Sequence, residues 1–182
     1  MKLVKQSFEI LEQKDFSLKG IKQFIERCGR VCYKSEDKIT DTSYEKFVDM
    51  LEKKYHARPL EFGTVHLLIP GSDFKEAYAS LVEIGLDNCD WLQYCYYQGS
   101  YYVTTNYRYY LDIIKSAPAI QKYFSETYSK YYPKRYTVHF IIGRAIMDEF
   151  RTHVTLSHLA ESTRYCNYSK NKFNNVVTFV IP

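Results

Sequence analysis

The sequence predicts an α+β domain, with helices packed on a mainly antiparallel sheet, and three observations carry that expectation. Apolar residues recur at helical spacing in two early stretches: Ile21, Phe24, Ile25, Cys28 and Val31, then Tyr44, Phe47, Val48 and Leu51. Runs with strand character lie around them, at residues 2–11, 61–69, 136–142 and 176–181, several alternating as a half-buried strand does. At 182 residues, 46% hydrophobic and 25% charged, the chain can bury one core and needs no second domain, so residues 1–182 read as one unit.

The first strand is expected over residues 2–11, from Leu3, Val4, Phe8 and Ile10. A turn at Asp15 to Gly20 leads into an amphipathic helix from Ser17 to near Tyr33. After a polar connection, Thr42-Ser-Tyr-Glu45 has the pattern of a capping box, in which hydroxyl and carboxylate each satisfy an orphan N–H of the helix that ends around Tyr55 and His56. His56 to Pro70 reads as a turn running into a strand. Residues 71–135 are tyrosine-rich. There the spacing predicts a helix from Asp73 to Gly85, an aromatic run at 90–98, a short strand over Tyr101–Thr105, a helix through Ile114, and a short helix between Pro118 and Pro133. Tyr136 to Ile142 alternates and then turns wholly apolar, as a central strand would. It feeds a helix on which Ile146, Phe150 and Val154 share a side. Asn174-Asn175 signals a turn before the last strand, 176–181.

The net charge of +4 permits a phosphate-bearing ligand but lacks the concentrated basic stripe of a dedicated nucleic-acid binder. Tyrosines near Lys122, Lys130, Lys134 and Arg135 could stack bases beside cations, but their irregular spacing fits an oligomer interface or ordinary core better. The five cysteines, Cys28, Cys32, Cys89, Cys95 and Cys166, form no C-x-x-C pair. Cys28 and Cys32 lie one helical turn apart, yet no second ligand pair accompanies them, so they read as buried free thiols rather than a metal site. Reduced thiols suit a cytoplasmic protein. No run approaches a membrane span, and the first residues have no apolar stretch of signal-peptide length.

The chemistry concentrates near the end of the chain. From Ser157 the helical rhythm gives way to Ser157, Glu161, Ser162, Thr163, Arg164 and Tyr165. Such a loop can close around a small anion, with Arg164 as a planar fork and hydroxyls or main-chain N–H groups on the remaining oxygens. A plain solvated connection has a similar composition.

His153, Ser157, Ser162, Arg164 and Tyr165 sit at the spacing of Arg-His-Arg-x-x-Ser-x-Asn-x-x-Ser-x-Arg-Tyr, the signature of the flavin-dependent thymidylate synthases. The run from Glu161 to Lys170 resembles a longer form of it. Two further landmarks lie in the family's order: Gly29 to Ser35 resembles Ala-Arg-Val-Cys-Tyr-x-Ser, and His56, Pro59 and Glu61 match a segment that lies against the flavin. Val103 to Arg108 looks like a feature of one branch. The resemblance covers residues 20–70 and 135–182, with the tyrosine-rich stretch as an insertion at about 71–135.

The resemblance implies a methyltransferase of nucleotide biosynthesis that turns dUMP into dTMP, with methylenetetrahydrofolate as carbon donor, FAD as cofactor and NADPH as reductant. It implies a homotetramer with sites between subunits, no metal and no nucleophilic cysteine. Arg164, Ser162, Glu149, Glu161 and Tyr165 would fall on the nucleotide, and His153, Ser157, His56, Arg58 and Glu61 on the flavin side. The departures matter as much. Thr152 and Val154 replace both flanking arginines, Leu159 replaces the asparagine, Phe62 a second histidine, and Glu149 stands where glutamine is common. Family members also continue beyond the last strand through further helices, so a C-terminally short member is expected. Each charge-assisted hydrogen bond contributes roughly 1.5–3 kcal/mol, so each lost arginine contact weakens binding about ten- to a few-hundred-fold unless Arg151, Arg144 or Arg58 compensates. Hence the alternative: a non-catalytic relative that keeps the fold as a nucleotide-binding or oligomeric interaction protein.

Overall fold

A computed structural model describes residues 2–83, 90–153, 155–162, 166 and 178–181. Its first long element begins at Ser17, whose hydroxyl accepts from the Gly20 N–H at 3.1 Å and so caps α1 (Leu18–Tyr33). Lys34 closes that helix in the left-handed conformation, φ 47°. The apolar stripe of α1, with Ile21, Phe24, Ile25 and Cys28, is buried, and α2 (Ser43–Lys53) packs on it with Phe47, Val48 and Leu51. A buried carboxylate ties the two together. Arg30 donates to Glu26 Oε1 through Nε at 2.9 Å and Nη2 at 2.6 Å, and Ser43 Oγ donates to Oε2 at 2.8 Å.

The expected capping box is not formed. Thr42 makes no side-chain cap, and Glu45 accepts from the Tyr44 hydroxyl instead, at 3.2 Å. Ser43 organises this corner: its hydroxyl accepts from the Thr40 N–H at 2.8 Å while donating to Glu26.

A four-residue helix, α3 (Ala57–Leu60), turns the chain into β3 (Thr64–Pro70), which α4 (Gly71–Glu83) follows at once. Then come β4 (Gln93–Tyr97), β5 (Ser100–Asn106), α5 (Tyr107–Ser116), a 3₁₀ turn at Pro118–Tyr123 and β6 (Phe124–Ser125). The antiparallel order is β4-β5-β3-β6, and β3 pairs with β5 along its whole length, from Thr64 opposite Asn106 to Pro70 opposite Ser100. One face of β3 presents Val65, Leu67 and Ile69 to a core shared with α1, α2, Ala77, Val103, Tyr110 and Ile113. The other face carries His66, which stacks between Phe16 and Tyr132.

The single sheet expected from the four strand runs is therefore corrected. β3 takes its partners from the tyrosine-rich segment, which supplies core rather than decoration. The N-terminal run divides: β1 (Lys2–Lys5) pairs parallel with β8 (Thr178–Ile181), and β2 (Ser7–Leu11) pairs antiparallel with β7 (Thr137–Ile141). β7 is thus no central strand; Phe140 and Ile141 are exposed. The helix after it, α6 (Arg144–Phe150), stops short of His153, earlier than its apolar rhythm predicts. Val154 and Asn174-Asn175 lie outside the described residues.

Candidate functional site

Pro59 sits in the first turn of α3, where a missing N–H costs nothing, and the helix ends at Glu61. Glu61 is 3% exposed, and both carboxylate oxygens are engaged. Arg108 Nη1 donates to Oε1 at 2.5 Å, and Ser157 Oγ donates to Oε2 at 2.7 Å. Its main-chain carbonyl accepts from Arg135 Nη2 at 2.8 Å, while Arg135 Nη1 reaches Thr64 Oγ1 at 3.2 Å and the Gly63 carbonyl at 3.4 Å. Four segments distant in sequence thus meet at one residue: α5 and the loop after α6 reach the Glu61 carboxylate, and the connection into β7 reaches its main-chain carbonyl at the end of α3. Asn106 aims Arg108, because its side-chain oxygen accepts from the Tyr109 N–H at 2.9 Å and starts α5 there. Burial lowers the pKa of Arg135 to about 10, opposed by the Glu61 charge, so the guanidinium stays cationic at neutral pH.

A second set of contacts gathers at the end of α1. Ser162 N–H donates to the Cys32 carbonyl at 3.0 Å, and Lys34 Nζ stands 3.7 Å from Glu161 Oε1. Arg144 Nη2 donates to the Glu161 carbonyl at 3.2 Å, and the Tyr33 hydroxyl meets His56 Nδ1 at 3.1 Å. The Cys166 thiol faces the Cys32 carbonyl at 3.8 Å. Burial raises the Cys32 thiol to about 11 and Cys28 to about 12, so both stay protonated.

Of the residues singled out in the sequence, Glu61 and Ser157 touch, while His56, Glu161 and Ser162 gather at the end of α1. Glu149 and His153 do not join them: both are exposed, and the Glu149 carbonyl accepts from the Thr152 N–H at 3.0 Å and Oγ1 at 2.7 Å within its own turn. Arg58 is exposed and is not the partner of Glu61, because α3 carries Glu61 inward to Arg108 instead. Arg164 and Tyr165 lie outside the described residues. Of the possible compensators, Arg144 is held on Glu161 and Arg151 pairs with Asp148 at 3.3 Å. Sequence reasoning missed Arg108 and Arg135 as site residues. Arg108 carried a signal, as the last residue of the Val103–Arg108 run; Arg135 stood only among the cations interleaved with tyrosines.

Beside the Glu61–Arg108 pair lies an open groove of about 390 Å³. Leu51, Leu60 and Leu111 form its apolar wall, Arg108 its cation, and Glu52 and Asp112 its acceptors. The Tyr107 hydroxyl donates to Glu52 at 3.2 Å, and burial with that carboxylate pushes its pKa up. An apolar wall with a few convergent polar groups suits a flat, partly polar ligand. Among the described residues no three His, Cys, Asp or Glu side chains gather as a metal site would need. Comparison of the chain with protein-family models, with curated proteins and with solved structures gave no match.

Proposed function

We propose that this chain is a flavin-dependent thymidylate synthase-like protein that binds dUMP beside FAD and, with methylenetetrahydrofolate and NADPH, forms dTMP. One observation carries the reading: the 2.7 Å hydrogen bond from Ser157 to Glu61 joins two landmarks 96 residues apart that the sequence resemblance alone had paired. The same end of the molecule gathers Cys32, His56 and Ser162, from all three landmarks. The groove lined by Leu60 and Arg108 fits the ring end of a flavin and is too small for the whole dinucleotide, which agrees with a site completed by a second copy.

In this reading the flavin, when bound, supplies the hydride chemistry, and the chain's own residues position and neutralise. Arg164 grips the nucleotide phosphate with Ser162 beside it. Glu61 fixes Arg108 at the groove and Ser157 at the loop, so that both are set before a ligand arrives. A specific observation favours the non-catalytic alternative: His153 lies exposed beyond α6, flanked at Thr152 by no guanidinium.

Purified protein decides between them. The enzyme reading expects a yellow protein absorbing near roughly 450 nm that oxidises NADPH only when dUMP is present, with Ser157→Ala lowering turnover. Colourless protein that still binds dUMP establishes the alternative, and protein that binds neither sinks both.

A further inference from the structure

The structure assigns a second ligand site, an oxyanion pocket at the β4 end of the polar sheet face, built to hold the phosphoryl or carboxylate end of a small metabolite. The register aligns Gln93, Thr104, His66 and Ser125 side by side across all four strands, on the face opposite the core. Where that row meets the connection into β7 there is a cavity of about 70 Å³, walled by Asp90, Trp91, Gln93, Thr104, Lys134 and Arg135. Thr104 is 1% exposed, and its hydroxyl reaches no partner among the described residues. Next to it in the row, outside the cavity wall, His66 is 3% exposed, and its Nδ1 has no partner among the described residues either. Buried polar atoms are ordinarily satisfied, so the unpaired Thr104 hydroxyl in the cavity wall marks the place of something that completes it.

The walls say what that is. Lys134 and Arg135 are cations, the Gln93 amide and Thr104 hydroxyl can donate, and Asp90 alone opposes them. A water occupies about 30 Å³ in the liquid, so the space takes a pair of waters or one small oxyanion, and no nucleotide. The two cations, Lys134 exposed and Arg135 half-buried, favour the anion, because a charged acceptor makes the stronger hydrogen bond to either of them. Arg135 borders both this cavity and the Glu61 cluster, so the test leaves it untouched. The inference does not rest on the flavin reading and stands if that reading fails.

Trp91 is the sole tryptophan of the 182 residues and forms part of the wall, so its selectively excited emission reports this place. The full chain is titrated with sodium phosphate and with sodium acetate, each against sodium chloride at matched ionic strength, while the melting temperature is followed in parallel. The pocket predicts a saturable change in Trp91 emission, or a rise in melting temperature, below roughly 10 mM phosphate or acetate and none with chloride. Which salt acts tells a phosphoryl from a carboxylate ligand. Thr104→Val and Lys134→Gln, checked for unchanged far-ultraviolet circular dichroism, each weaken the response by about tenfold or more. No response in either observable to either anion means that the cavity holds only water, which overturns the proposal. So does a response that survives in both variants.

Discussion

His66 lies between two rings, Phe16 at 4.4 Å and Tyr132 at 4.0 Å and nearly parallel to it, and this position is hostile to a second proton. Burial, aided by the nearby Arg135 charge, lowers its pKa to about 4 from the ordinary 6.5. The unfolded chain takes up that proton below about pH 6.5 and the folded chain resists it until about pH 4, so the associated stability is intact above 6.5 and lost as pH falls towards 4. Integrated over that window the loss is on the order of 3 kcal/mol. Asp15 and Asp73, whose carboxyls are held below the usual range chiefly by hydrogen bonds from Ser17 and from Ser72 and Tyr123, lose their contribution only at lower pH. Urea midpoints between pH 7 and 4 should therefore fall steeply in the wild type and much less in His66→Phe, which keeps the stack and removes the titration. An equal slope in both proteins would remove His66 from the account.

Between elements, Glu26 does for α1 and α2 what Glu61 does for the site: it satisfies a buried carboxylate from two sides at once. Glu26→Ala leaves the half-buried Arg30 without its partner and is expected to cost roughly 3 kcal/mol, against about 1 kcal/mol for Ser43→Ala. Chemical denaturation reads both, and near-equal losses would mean that Ser43, not the ion pair, holds the corner. The helices were legible in the sequence because each carries its own amphipathic period: α1 and α2 fall within a few residues of expectation. The strand partners were not. Alternation tells which side chains share a face but not which strand lies alongside, so nothing in the period of β3 points to β5 as its partner. The failed capping box has a similar origin: Ser43, inside the pattern, has better partners in Thr40 and Glu26. Gly29 stands where the landmark it resembles has alanine; a Cβ there would lie 2.9 Å from Phe47 Cε1, so a short-range contact in this fold sets that difference.

For the whole molecule, the two terminal ribbons carry apolar side chains that lie exposed among the described residues. Phe8 is 70% exposed, Leu3 59%, Ile10 57% and Phe179 51%. Phe8 lies opposite Phe140, whose ring stacks on Phe150, so one face of the β2–β7 ribbon is continuous with α6. A patch of this kind marks an interaction surface, and a second copy of the chain fits the shared site proposed above. Light scattering at tens of micromolar should find an oligomer that Phe8→Asp reduces in size while leaving the melting temperature of the separated subunit nearly unchanged. A wild-type monomer would break the link between ribbon and site. Glu61 and Ser157 were named in the sequence, each within a resemblance, but their contact with one another was not. Arg108 and Arg135 reach Glu61 from the tyrosine-rich stretch by three-dimensional folding, and no linear spacing encodes that meeting.

The convergence on Glu61 also sets a timetable for synthesis. Arg108 follows it by 47 residues and Ser157 by 96. At about 5–20 residues per second the first partner leaves the ribosome roughly 2–9 s after the carboxylate and the second roughly 5–19 s after. Throughout that wait the acid must stay hydrated, so the corner between α3 and β3 cannot close on the nascent chain. Its protection against proteolysis should appear in two steps, as each donor emerges.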